Sequence, residues 1–106
     1  MTGPSRQLPL ADGCALAPAE LETQLDRYRT LGRHATSVTR RVGEVLVHFS
    51  DDAPSGLLER TLDVERRCCP FIHTRFDAAD RLLTITVERV DQAPRLDSLF
   101  ELLSVG

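Results

Sequence analysis

Residues 65–71 read Glu65-Arg66-Arg67-Cys68-Cys69-Pro70-Phe71, and they hold the most reactive side chains of the chain. Two adjacent thiols stand at the end of a helical pattern that Pro70 stops. A carboxylate lies one turn back. A third cysteine, Cys14, lies near the N-terminus, and the chain has only 3 cysteines. Thiolates are soft ligands and select Zn(II), Cu(I) or Hg(II). Adjacent side chains diverge in a regular helix, but at an unwound helix end they can meet on one ion. Glu65 reaches the same spot from one turn away. The expected metal site is therefore Cys14, Cys68 and Cys69, with Glu65 as auxiliary ligand or proton donor. The paired C-x-x-C spacing of structural zinc sites is missing, which disfavours a zinc finger.

Helix polarity weighs against plain thiol chemistry. Redox-active cysteines of the thioredoxin kind sit at a helix N-terminus, where the dipole lowers the thiol pKa. Cys68 and Cys69 sit at a C-terminus, where the negative dipole end disfavours a bare thiolate and attracts a cation. The competing account is core packing. Free cysteine packs like a small hydrophobe, and Cys68 shares a helical face with Leu57, Thr61 and Val64. The histidines are lesser candidates. His48 and His73 alternate away from the apolar faces of their strands, and His34 falls in a loop. No phosphate-binding glycine loop, nucleophile elbow or H-E-x-x-H is present.

The elements that must position these residues follow from periodicity. Residues 1–16 carry Gly3, Pro4, Pro9 and Gly13 without periodicity and are expected to form an irregular arm. A helix starts near Pro18, buries Leu21, Leu25, Tyr28 and Leu31, and stops at Gly32. Residues 37–50 form a hairpin, with Gly43 in its loop and Val45, Val47 and Phe49 alternating. Asp51 to Ser55 open a second helix through an Asp cap and a first-turn proline. Pro70 ends it. A second hairpin pairs residues 71–76 with 81–88 around Asp77-Ala78-Ala79-Asp80. Leu83, Ile85 and Val87 face inward. A last helix begins near Pro94 and buries Leu96, Leu99, Phe100 and Leu103.

The order α-β-β-α-β-β-α with hairpins means an α+β fold, with an antiparallel sheet of about four strands and helices mainly on one face. Residues 17–106 make one such domain behind the arm. Leu46, His48, Phe71 and His73 are expected on the outer sheet face, where a homodimer or a covering segment would hide them.

Composition narrows the function classes. The chain has 106 residues and a formal net charge of −3, so nucleic acid has no electrostatic support. No apolar run approaches the ~20 residues that span a bilayer. Pro9, Asp12 and Gly13 break any signal-like segment before Cys14. A cytoplasmic protein with reduced or metal-bound thiols is the expectation.

The chain resembles a group of small, mostly uncharacterised bacterial proteins. Their pattern is an N-terminal Cys-x-Leu, then Glu-x-x-Cys-Cys-x-Phe, then a β-hairpin. Here these are Cys14-Ala15-Leu16 and Glu65 to Phe71. The group is associated with heavy-metal resistance, so the resemblance implies soft-metal handling. Three alternatives stand beside it. An enzyme of the organomercurial-lyase type would use Cys68 and Cys69 on the metal and Glu65 as proton donor, by analogy alone. A thiol oxidoreductase would use Cys14 to resolve an oxidised Cys68 or Cys69. An interaction module would use the open sheet face and keep its cysteines structural. No organic cofactor is expected.

Overall fold

The computed structural model describes residues 17–104. Helix α1 spans Pro18–Gly32, strand β1 Ala35–Arg41, β2 Glu44–Phe49, helix α2 Ser55–Cys68, β3 Ile72–Asp77 and β4 Leu82–Val87. A 3-10 turn, Val90–Gln92, leads into α3, Ala93–Ser104. The fold is α+β in the expected element order. The four strands run in the order β1-β2-β4-β3, and every neighbouring pair is antiparallel. Each hairpin thus stays intact, and β2 meets β4 in the centre.

Alternation decides which face is the core. Val45, Val47, Leu83 and Ile85 sit in the two central strands and are fully buried. Register places Val45 opposite Ile85 and Val47 opposite Leu83, so the four form one apolar block. Helix α3 packs on β1, β2 and β4, and α2 packs on β3. Helix α1 packs against α3 and α2. Leu21, Leu25, Tyr28 and Leu31 are its buried stripe, as the spacing predicts.

Two local expectations are corrected, the cap of α2 and the place of Phe71. Helix α1 does stop at Gly32, but the next residue keeps right-handed helical angles, so the stop is not a left-handed glycine cap. Its glycine is needed for packing: a Cβ there would lie 2.5 Å from the Leu103 carbonyl oxygen of α3. The opening of α2 has no Asp cap. Its N-cap is Pro54, without a side-chain hydrogen bond, while Asp52 turns to Ser50 and His34. Phe71 lies just before β3 and packs against the main core, so it does not lie on the outer face. That face carries the rows Thr39–Leu46–Thr84–Arg75 and Ser37–His48–Leu82–Asp77. It is more polar than the sequence pattern implied.

The loop joining β2 to α2 is tied to the second hairpin. Arg81 takes a positive φ of 55°. Its Nε and Nη2 donate to the Ser50 carbonyl at 3.1 and 3.0 Å, and its own carbonyl accepts from the Phe49 N–H at 3.0 Å. These bonds hold the start of α2, and so help to fix where its far end falls.

Candidate functional site

Helix α2 ends where the sequence predicts. Cys68 is its last residue, and Cys69 leaves the helix with φ −128° and ψ 82°. That break lets the adjacent side chains converge: the Cys68 and Cys69 sulfurs are 3.5 Å apart. Both residues are buried, Cys69 completely. Cys69 carries a free thiol. Cys68 is disulfide-bonded in this structure. Cys14, the third expected ligand, lies outside the described residues. Within those residues no group of three or more His, Cys, Asp and Glu side chains is placed to hold a metal ion. His34, His48 and His73 are drawn to Asp52, Ser37 and Glu88 respectively, on other parts of the molecule.

Glu65 lies one turn before the pair, and its side chain is fully buried. It belongs to the apolar face of α2 with Leu58 and Leu62, so its charge needs internal partners. Two other helices supply them. From α3, Arg95 Nη2 donates to both carboxylate oxygens, at 2.8 and 2.7 Å. From α1, the Tyr28 hydroxyl donates to Oε1 at 2.7 Å. The three helices thus converge on a single carboxylate directly behind the cysteines. Arg95 is itself buried, and its Nε and Nη1 have no hydrogen-bond partner among the described residues.

The electrostatics follow from this burial. Desolvation pushes the Cys69 thiol up to about 11. The Arg95 charge opposes that rise, and the Glu65 charge and its hydrogen bond add to it. Burial also raises the Tyr28 hydroxyl well above its ordinary value, and the Glu65 charge beside it adds to the shift. Burial works against the Arg95 cation, but Glu65, Tyr28 and Cys69 outweigh it, and the guanidinium is held above its usual range. The pocket is therefore a neutral thiol beside an ion pair whose charges cancel.

Sequence reasoning found Glu65, Cys68 and Cys69 together but missed Arg95 and the polar role of Tyr28. A signal existed for Arg95. It stands four and eight residues before Leu99 and Leu103, in register with the buried stripe of α3. An arginine at a core position demands a carboxylate, and Glu65 is the charged residue on the apolar face of α2.

A second feature lies on the other side of Cys68. A groove of about 570 Å³ runs between α1 and α2, and Arg27, Arg60, Arg67, Glu20 and Cys68 help to line it.

Comparison with protein-family profiles, curated proteins and solved structures finds no match for this chain.

Proposed function

We propose that this protein binds a soft heavy-metal ion, taken up when the cysteines are reduced, through Cys68 and Cys69, with Cys14 as a third thiolate. The observation that carries the reading is the buried pair of sulfurs, 3.5 Å apart, at an unwound helix end. A thiol near 11 is almost all protonated at neutral pH, with roughly one molecule in 10⁴ ionised. That suits neither an exposed nucleophile nor a fast redox thiol. A soft cation displaces the proton, because metal–thiolate bonding drives deprotonation. Two or three thiolates fit Cu(I) or Hg(II) better than Zn(II), whose structural sites take four ligands. Glu65 contributes chiefly its charge, since Arg95 and Tyr28 already occupy its oxygens. A divalent ion on Cys68 and Cys69 alone adds no net charge beside the Glu65–Arg95 pair; a third thiolate from Cys14, or Cu(I) on two thiolates, adds one negative charge.

A thiol–disulfide switch is the second reading. It is favoured by one observation: Cys68 in a disulfide beside the free Cys69 thiol. Native mass spectrometry separates the two. Reduced protein should gain the mass of one Hg(II) or Cu(I) per chain and hold it against a neutral monothiol. Protein that gains no ion, but cycles by loss and recovery of two hydrogens with a thiol reductant, would overturn the metal reading.

A further inference from the structure

Soft ions do not travel free in a medium that contains thiols, so a receiving site must take them from a thiol complex. The groove between α1 and α2 has the features such a complex would need. Its volume of about 570 Å³ suits a small molecule. Cys68 forms part of its lining, although the residue is only 4% exposed. Three arginines, Arg27, Arg60 and Arg67, line it together with one acid, Glu20.

Those arginines are not all consumed by neighbours. Arg67 pairs with Asp63 at 3.2 Å, on an exposed surface where such pairing is weak. Arg27 is held by a neutral group, the Gln24 side chain, at 2.7 Å. Neither Arg27 nor Arg60 has a carboxylate partner among the described residues. The protein is acidic overall, so this local positive excess is not a general property of its surface. Guanidinium groups recognise carboxylates through paired hydrogen bonds.

Resting on the metal reading above, we propose that this groove docks the ion's carrier, a small thiol bearing carboxylates. Arg27, Arg60 and Arg67 hold the acid groups while the ion passes to Cys68 and then to both cysteines. The exchange balances. With a bis-thiol complex of a divalent ion, two carrier–metal bonds break and two cysteine–metal bonds form. The Cys68 disulfide is opened first by two equivalents of a small thiol, which leave as their own disulfide and supply its two electrons and two protons. In the transfer itself two protons then move from the cysteine thiols to the departing carrier thiolates, and no further electron is transferred.

The test compares Hg(II) delivered as its bis-glutathione complex with Hg(II) delivered as its bis-mercaptoethanol complex. The first carrier has carboxylates and the second has none. Stopped-flow absorbance of the new thiolate–metal bonds in reduced full-length protein gives the two transfer rates. The acidic carrier should be faster by about tenfold or more at low ionic strength, and salt should erode the advantage. In Arg27→Gln/Arg60→Gln/Arg67→Gln the rate ratio should fall to about one. Arg60→Glu alone, at an exposed position, should lower it if the triple variant unfolds. Equal rates in the unsubstituted protein, or a ratio unchanged in the variants, would overturn the groove proposal and leave metal binding standing. Uptake from neither carrier would instead overturn the metal reading, and this proposal with it.

Discussion

Arg95 lays one guanidinium nitrogen across both oxygens of Glu65, at 2.8 and 2.7 Å, with Glu65 fully buried and Arg95 nearly so. The geometry makes Glu65 a structural charge as well as a neighbour of the thiols. Any experiment on Glu65 therefore reads two things at once.

Removing one partner leaves the other as an uncompensated buried charge. Glu65→Leu or Arg95→Met alone should each cost about 3–5 kcal/mol. For a domain of this size that lowers the melting temperature by well over roughly 10 °C. The double variant Glu65→Leu/Arg95→Met should lie closer to the unsubstituted protein than either single change, because an apolar pair of similar volume loses no Coulomb energy. Urea denaturation of the four proteins measures the cycle. Additive losses would show that the two groups are not coupled.

Stability should fall at alkaline pH. The Cys69 thiol ionises near its ordinary value of 9 in the unfolded chain but only at about 11 in the fold. Below pH 9 both states hold the proton and nothing is lost. Between 9 and 11 the unfolded chain gives it up first, so stability declines as pH rises. At about 1.4 kcal/mol per pH unit the total loss approaches ~3 kcal/mol. Tyr28, also raised, extends the decline at the upper end of this window. Denaturation midpoints at pH 8, 9, 10 and 11, with the Cys68 disulfide intact, check the slope. Cys69→Ser should flatten it between 9 and 10, and a variant with the unsubstituted slope would assign the effect elsewhere.

Gly32→Ala tests the approach of α1 to α3. The added Cβ would meet the Leu103 carbonyl at 2.5 Å, and a backbone atom cannot swing aside as a side-chain tip can. A loss of about 1–3 kcal/mol is expected, despite alanine's better helix propensity. Thermal unfolding measures it. A more stable variant would mean that the helices separate at little cost.

Much of this fold was legible because its elements are strongly periodic. The alternation of Val45, Val47 and Phe49 and of Leu83, Ile85 and Val87 marks two strands, and Pro70 marks the end of α2. What was not legible depends on distance along the chain. Gly32 reads as a helix stop by habit of the residue, while its actual constraint comes from Leu103, far away in sequence. Asp51 and Asp52 look like a cap because the local pattern fits, yet His34 and Ser50 compete for Asp52. Within the site, the neighbours Glu65, Cys68 and Cys69 are visible from spacing alone. Arg95 is 30 residues from Glu65, and only the tertiary fold, with α1 packed against both α2 and α3, brings them together.

The cysteines themselves discriminate between binding and catalysis. Cys68→Ser or Cys69→Ser replaces a soft, ionisable ligand with a hard hydroxyl that stays protonated at neutral pH. Groups outside the ligand shell usually change metal affinity by about 10–100-fold, so loss of a direct ligand should exceed roughly 100-fold. Glu65→Gln should stay within the smaller range, provided that binding is measured where the variant remains folded. Competition with a chelating dithiol gives the affinities, and circular dichroism of the same samples gives the folded fraction. A lyase would behave differently: Glu65→Gln would keep the ion and abolish cleavage of an organomercurial, since the carboxyl proton is the one the leaving carbon needs. If both serine variants bind Hg(II) and Cu(I) as tightly as the unsubstituted protein, the cysteine pair is not the metal site and packing accounts for its burial.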